Sequence, residues 1–191
     1  MKISILYSSE TEHTHQMANA ILAGCIASGK VEASLIRISD LDFTGSRWNN
    51  EEILAELDSS DAIIFGSPTF MGSVSSKMKA FMEASVSRYF PETWNGKIAA
   101  GFTVSGSSGG DKFNTLSTLT TFAMQHGMIW IGLGSNPFNG KNNNASGHYY
   151  GATGRAELDH NPADMPSKDD LNSGEFLGAR IADYVTKLAA K

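Results

Sequence analysis

The 191-residue chain contains a single cysteine, no cluster of basic residues and no long apolar stretch. Cys25 alone excludes an intrachain disulfide, which is typical of a reducing compartment, so we expect a cytoplasmic protein. The net charge of −5 is spread along the chain, which disfavours nucleic acid as a partner. The apolar run at the N-terminus ends at Tyr7, and no segment approaches the roughly 20 apolar residues of a membrane span. We therefore expect no membrane association.

Apolar residues make up 41% of the chain, enough for one continuous core, and we predict a single domain over residues 1–191. Short apolar runs alternate with longer segments that have helical periodicity. The runs predict strands at Lys2–Tyr7, Val31–Ile38, Asp61–Gly66, Lys97–Val104 and Met128–Leu133. The periodic segments predict helices at Thr14–Ser28, Asn50–Leu57, Ser75–Tyr89, Lys112–His126 and Asp170–Leu188.

The predicted strands are almost continuously apolar, which is typical of a parallel sheet covered by helices on both faces. Right-handed crossovers then favour a doubly wound, five-stranded, flavodoxin-like α/β fold with strand order 2-1-3-4-5. Only the segment Gly134–Lys168 lacks a periodic pattern, and we predict that it forms a long loop near the functional site.

Ligands of such a sheet bind at the carboxyl ends of the strands, so the loops after the first, third and fourth strands are the candidate site. The first loop combines hydroxyl side chains with the start of a helix, which favours an anion such as a phosphate. The same residue types are common helix caps, and this alternative stays open at the level of sequence. The loop residues are Ser9, Glu10, Thr11, Glu12, His13 and Thr14.

The second and third loops suit the edges of a flat ring. Pro68, Thr69, Phe70 and Met71 follow an apolar strand, either as ring contacts or as an ordinary turn. The third loop has small residues whose amides can approach a ligand, or which form a flexible connection. Its residues are Ser105, Gly106, Ser107, Ser108, Gly109 and Gly110. Together the three loops occupy the places where this fold binds a mononucleotide, and they predict FMN as the cofactor.

Four segments occur in order along the chain: ILYSSETEHTHQMA, IIFGSPTFMGSVSSKMKAFME, SGSSGG with HGM after it, and YYGATGRAE. They resemble the WrbA-type NAD(P)H:quinone oxidoreductases, which are flavodoxin-like FMN enzymes. The resemblance implies that Ser9–Thr14 hold the FMN phosphate and that Ser105–Gly110 place backbone donors along the pyrimidine edge. It also implies that Thr69, Phe70 and Met71 line the isoalloxazine.

The resemblance further assigns catalytic and substrate-side residues. His126 corresponds to the family's histidine beside the flavin, where it would donate a hydrogen bond or proton to a quinone oxygen. A histidine satisfied by the carbonyls of a helix end is the structural alternative. Tyr89 or Trp94 corresponds to the family's substrate-side tryptophan. The implied partners are NAD(P)H, a quinone and further copies of the chain, in a homotetramer whose flavin sites are each completed by a neighbour.

The chain departs from the family pattern at charged positions. Glu10 and Glu12 lie in the predicted phosphate loop, where a carboxylate is unfavourable unless it points outward. Phe70 and Met71 stand where many relatives have Arg and Phe, which changes the contacts expected for the nicotinamide nucleotide. His13 and His15 point to different sides of a helix, so no metal site is predicted.

Two functions are compatible with these features. The predicted function is FMN-dependent, two-electron reduction of quinones by a nicotinamide nucleotide. The alternative is a one-electron carrier that docks on a redox partner, as short flavodoxins do. A carrier of this kind is expected to have a strongly acidic docking face, and the chain, with 15 basic residues, is less acidic than that.

Overall fold

A computed structural model describes residues 1–157 and 159–190. The strands are β1 (Lys2–Tyr7), β2 (Glu32–Arg37), β3 (Phe43–Thr44), β4 (Arg47–Trp48), β5 (Ala62–Phe70), β6 (Ser73–Val74), β7 (Ile98–Ser105), β8 (Ile129–Trp130) and β9 (Ala152–Arg155). The helices are α1 (His13–Ile26), α2 (Glu51–Asp58), α3 (Ser76–Ala84), α4 (Val86–Tyr89), α5 (Lys112–Gln125) and α6 (Lys168–Ala189). Within the described residues, no helix has both the length and the apolar character needed to cross a membrane.

The main sheet is parallel and has the order β2-β1-β5-β7-β8, with β9 also paired to β7. In terms of the predicted strands this is the order 2-1-3-4-5, so the predicted doubly wound, flavodoxin-like fold is confirmed. Strands β1, β5 and β7 coincide with apolar runs of the sequence because helices cover both of their faces.

Two apolar clusters fill the space between the sheet and its helices. One cluster lies between the sheet and helices α1 and α6, and receives Ile3, Ile5 and Tyr7 from β1. The other lies between the sheet and helices α2, α3 and α5, and receives Leu6 from the same strand. Alternate side chains of one strand therefore enter opposite faces, as the two-residue period of a strand requires.

The predicted fifth strand, Met128–Leu133, is wrong in its extent. Of the predicted segment, Ile129–Trp130 forms a strand, β8, and it pairs with Ile98 and Ala99 at the start of β7. The second half of β7 pairs instead with β9, which lies within the segment predicted to be a loop. The chain leaves the sheet after Ile131, whose N–H donates to Ala99 O, and returns at Gly151. A side chain at Gly151 would lie 2.0 Å from Gly101 O, so close approach of the two backbones selects glycine there.

Two further predicted elements differ in their bounds. The third predicted strand continues past Gly66 as β5 and turns back as β6, so the second loop is a hairpin rather than a simple turn. Met71 and Gly72 form its tip with φ of 47° and 80°, as a two-residue hairpin turn requires. The predicted helix Ser75–Tyr89 is broken at Ser85 into α3 and α4.

The topology separates two ends of the molecule. The carboxyl ends of β1, β5 and β7 lie at one edge, and the loops that follow them meet there. Helix α5 runs back from this edge to the amino ends of the strands, where Gly127 O accepts a hydrogen bond from Gly96 N. Its 14 residues span roughly 21 Å, so residues at its two ends belong to different surfaces.

Candidate functional site

Three loops line one cavity at the carboxyl edge of the sheet, with a volume of about 140 Å³. We name them the α1 loop (Ser9–Thr14), the hairpin (Pro68–Val74) and the α5 loop (Ser105–Gly110). The lining residues are Thr11, His13, Thr14, Pro68, Thr69, Phe70, Val104, Ser105, Gly106 and Ala156. The loops predicted from the sequence are therefore neighbours in space, and Ala156, the residue that follows β9, also lines the cavity.

The α1 loop presents a row of main-chain donors. Within the described residues, the N–H groups from Glu10 to Thr14 donate no hydrogen bond to any protein group. Ser9 Oγ accepts from His15 N at 3.3 Å, and the N-cap residue Glu12 makes no side-chain cap. These free donors lie at the positive end of α1, which is 14 residues long. A phosphate fits this arrangement because it accepts several N–H bonds at a helix N-terminus.

The two carboxylates of the α1 loop are held by cations. Arg37 donates to both carboxylate oxygens of Glu12, at 3.1 and 2.6 Å, and also to Ser9 O at 2.6 Å. Lys77 forms an ion pair with Glu10 at 3.3 Å. The hydrogen bond to Glu12 raises the pKa of the Arg37 guanidinium. The acidic residues are thus paired, which removes the conflict with a bound phosphate that their presence suggested.

The hairpin is fixed to the sheet and to α5. Thr69 Oγ1 lies 2.8 Å from both Thr103 Oγ1 and Thr115 Oγ1, and Asn114 donates from Nδ2 to Gly72 O at 2.6 Å. These bonds hold Thr69 at the edge of the cavity, while Phe70 and Met71 remain exposed at the hairpin tip. The hairpin can therefore present apolar surface to a flat ring without moving.

The α5 loop is held from beneath by a lysine. Lys112 Nζ donates to Ser107 O at 2.6 Å and to Ser108 O at 2.9 Å, although the residue is only 2% exposed. In the described parts of the chain, the main-chain N–H groups from Gly106 to Gly110 donate to no protein group. They are available to a ligand with acceptor atoms along one edge, such as the pyrimidine edge of a flavin.

Sequence reasoning did not identify Arg37 or Lys112. Arg37 ends β2, next to the strand that leads into the α1 loop. Its position at the carboxyl edge could have identified it, because Glu10 and Glu12 beside a bound phosphate require a nearby cation. Lys112 is the first residue of α5, where the helix dipole disfavours a cation, and this mismatch was a second usable signal.

His126 and Tyr89 lie at the opposite end of the molecule from the three loops. His126 follows the last residue of α5, and its ring centroid is 6.0 Å from that of Tyr89. Neither side chain reaches the loops of its own chain, so the roles predicted for them beside the flavin stay predictions. The physical reason is the length of α5, which carries its two ends to opposite edges of the sheet.

The surroundings of His126 are apolar. Its Nε2 lies 3.0 Å from Ser85 Oγ, and its buried Nδ1 has no hydrogen-bond partner among the described residues. Burial lowers the pKa of His126 to about 4, so the imidazole is neutral at pH 7. It can donate one N–H bond but does not carry the extra proton of an imidazolium. His126 lines two surface cavities of about 330 and 390 Å³, both shared with Tyr89.

Trp94 is fully buried and cannot contact a substrate, so the substrate role predicted for it is wrong. Its indole Nε1 donates to Asp58 Oδ1 at 2.8 Å, and its ring packs against His126 at a centroid distance of 4.5 Å. A large aromatic side chain with a satisfied N–H is a core residue. Of the two alternatives, only Tyr89 is exposed enough to contact another molecule.

Comparison with known proteins identifies the family. Residues 1–141 match the family model for NADPH-dependent FMN reductase. Flavodoxin FldP of Pseudomonas aeruginosa (strain UCBPP-PA14) is 34% identical over 195 residues, covering 99% of both chains. An NAD(P)H dehydrogenase (quinone) of Chromohalobacter salexigens is 30% identical over 203 residues, covering 98% of both.

A solved structure has the same fold over almost its whole length. The flavodoxin, WrbA-like protein from Agrobacterium tumefaciens has a TM-score of 0.76 and 34% identity, over 97% of this chain and 98% of that chain. The chain therefore belongs to the NADPH-dependent FMN reductase family, as a WrbA-type, flavodoxin-like oxidoreductase that binds FMN.

Proposed function

We propose that this protein catalyses two-electron reduction of quinones by NAD(P)H. The observation that carries the proposal is the apolar rim of the three-loop cavity. Phe70, Pro68 and Val104 line the cavity, and Phe70 and Met71 are exposed on the hairpin. Phe113, in the first turn of α5, packs edge to face on Tyr150 with the ring centroids 5.0 Å apart. Flat, largely apolar molecules suit such a rim. The name of the 30% identical relative, NAD(P)H dehydrogenase (quinone), supports the same substrate class.

Each loop has a separate part in this proposal. The N–H groups of the α1 loop hold the FMN phosphate, and Arg37 keeps Glu12 from opposing it. Thr69, Phe70 and Met71 flank the ring system. The N–H groups of the α5 loop donate along the pyrimidine edge and stabilise negative charge that develops there. When bound, FMN supplies the transfer of two electrons between the nucleotide and the quinone.

Steady-state kinetics test this function. We expect ping-pong kinetics, with parallel double-reciprocal lines for NAD(P)H and a quinone, because one face of the cofactor holds only one flat substrate at a time. Purified protein saturated with FMN is assayed at several fixed quinone concentrations. Intersecting lines would indicate a ternary complex instead, and absence of quinone turnover by the FMN-loaded protein would contradict the proposed activity.

We also propose that a neighbouring copy of the chain completes each site, in a homotetramer. Tyr89 and Phe90 are exposed side by side next to the cavities lined by His126. They lie too far from the loops of their own chain to act there. Exposed adjacent aromatics are typical of interface cores. A symmetric assembly would bring this end of one copy to the cavity of another, and dihedral tetramers are a common closed form.

The variant Tyr89→Ala tests the contributions of the two ends of the molecule separately. We expect Tyr89→Ala to leave the FMN dissociation constant within about threefold of wild type, because the side chain is remote from the three loops, and to lower quinone turnover by about fivefold or more. Ile26→Ala, which truncates an exposed apolar residue at the end of α1, is the control. A mass near 20.5 kDa in sedimentation, with full quinone reduction, would show that neighbours do not complete the site.

A one-electron carrier is the second candidate function. Its support is the 34% identity to a protein named Flavodoxin FldP, over 99% of both chains. A carrier needs an acidic docking face. In this chain Lys77 and Arg37 neutralise Glu10 and Glu12, the carboxylates of the α1 loop, which disfavours that role. Reductive titration distinguishes the two: a carrier takes up its electrons in two separated steps, and the proposed reductase in one two-electron step.

A further inference from the structure

Lys112 is a buried cation that no carboxylate neutralises directly. Among the described residues it forms no ion pair, and its ammonium donates only to the carbonyls of Ser107 and Ser108. Burial lowers its pKa, and Asp170 opposes this effect from a greater distance. The Asp170 carboxylate already accepts hydrogen bonds from Arg155 N at 3.1 Å and from the Ser146 hydroxyl at 3.3 Å. A buried charge without an ion-pair partner lowers the free energy of unfolding, because two carbonyl hydrogen bonds replace only part of its hydration.

The position of Lys112 in the helix increases this cost. It is the first residue of α5, where the aligned peptide dipoles leave a positive end. Of the other charged groups that act on Lys112, Asp170 raises its pKa, and Arg155, which forms an ion pair with Glu157, lowers it. Burial lowers the pKa of the half-buried His148, and the charge of Lys112 lowers it further. The ammonium of Lys112 and the positive end of α5 therefore both lie beneath the α5 loop.

The two carbonyls bound by Lys112 also determine where the adjoining N–H groups point. In a trans peptide the C=O of one residue and the N–H of the next are antiparallel. Carbonyls of Ser107 and Ser108 directed at the ammonium therefore turn the N–H groups of Ser108 and Gly109 away from it. Neither of these N–H groups donates to a protein group in residues 1–157 and 159–190.

We propose that Lys112 orients these two N–H groups and supplies positive charge that stabilises bound FMN in its reduced state relative to its oxidised state. This inference rests on the proposed placement of the pyrimidine edge against the α5 loop. The nicotinamide nucleotide gives up two electrons and one proton, so reduced FMN gains one unit of negative charge, which a nearby cation stabilises. Lys112 acts through the loop and is a positioning residue.

Two variants separate charge from hydrogen bonding. Lys112→Gln keeps an N–H donor for the loop carbonyls and removes the charge, and Lys112→Met removes both. The dissociation constants of oxidised and reduced FMN are measured for each apoprotein, together with the two-electron reduction potential by dithionite titration against a reference dye. We expect the ratio of the reduced to the oxidised dissociation constant to rise about tenfold in both variants, which is a potential lower by about 30 mV.

The outcomes are distinct. An unchanged potential in both variants would overturn the inference, and a lowered potential in Lys112→Met alone would assign the effect to the hydrogen bonds and overturn the role of charge. Melting of the apoproteins checks folding, which we expect to be intact because both variants remove an unpaired buried charge. A shifted potential in a protein that does not reduce quinones would contradict the proposed function and leave this inference standing.

Discussion

Gly178→Ala is expected to lower the free energy of unfolding by about 3 kcal/mol or more. A Cβ atom at position 178 of α6 would lie 2.1 Å from Ile21 O and 2.9 Å from Cys25 N of α1. These are backbone atoms of a packed helix, so the two helices must separate to admit one methyl group. Alanine normally stabilises a helix interior by about 0.8–1.0 kcal/mol over glycine, so the expected sign is reversed. Urea denaturation followed by circular dichroism measures the change.

Gly174→Ala is the matched control in the same helix. A Cβ atom there would meet Met17 Sδ, in a flexible side chain, at 2.7 Å and Ala20 Cβ at 3.3 Å, but no backbone atom of α1 among its three nearest contacts. We expect a change within about 1 kcal/mol, because the thioether can move and helix propensity favours alanine. Equal stability of both variants would show that α1 and α6 are not in backbone contact. Since α1 begins at His13, separation of the helices should also weaken FMN binding in Gly178→Ala.

The sequence allows the sheet and the three loops to be predicted, because both depend on local patterns. Strands β1, β5 and β7 contain buried apolar runs, and β2 alternates apolar with polar residues. The rule that ligands bind at the carboxyl ends of the strands needs only the strand order. β9 could not be predicted in this way. Its sequence, ATGR, has no apolar period, and it joins the sheet because β7 extends beyond β8 and offers unpaired backbone.

The catalytic and substrate-side residues were harder to place than the cofactor loops. His126 and Tyr89 were assigned by resemblance, which gives positions along the chain but not the copy of the chain on which a residue acts. The predicted helix Lys112–His126 already implied a separation of roughly 20 Å between the α5 loop and His126. Trp94 could not be distinguished from Tyr89 by sequence, because its burial depends on Asp58, 36 residues away, which accepts its indole N–H.

Arg37→Ala is expected to weaken FMN binding by about thirtyfold, which corresponds to about 2 kcal/mol after solvent screening. Removal of the guanidinium leaves the Glu12 carboxylate unpaired beside the phosphate and frees Ser9 O, which Arg37 holds at 2.6 Å. Riboflavin, which lacks the phosphate, should lose at most about threefold by the same argument. Calorimetric titration of the apoprotein with each ligand gives both dissociation constants.

Glu12→Gln supplies the control for this charge effect. The single variant should change FMN affinity by no more than about threefold, because glutamine is neutral. In Arg37→Ala combined with Glu12→Gln, we expect most of the lost FMN affinity to return. If the double variant binds FMN as weakly as Arg37→Ala alone, the loss comes from the loop conformation rather than from the exposed carboxylate.

Titration of the wild-type apoprotein with FMN and with riboflavin tests the central claim most directly. The claim is that free N–H groups at the start of α1 hold the phosphate of FMN while the hairpin and the α5 loop hold its ring. Charge-assisted hydrogen bonds contribute about 1.5–3 kcal/mol each, so we predict at least about a hundredfold tighter binding of FMN than of riboflavin. Equal dissociation constants for the two ligands, or no binding of FMN, would contradict the account.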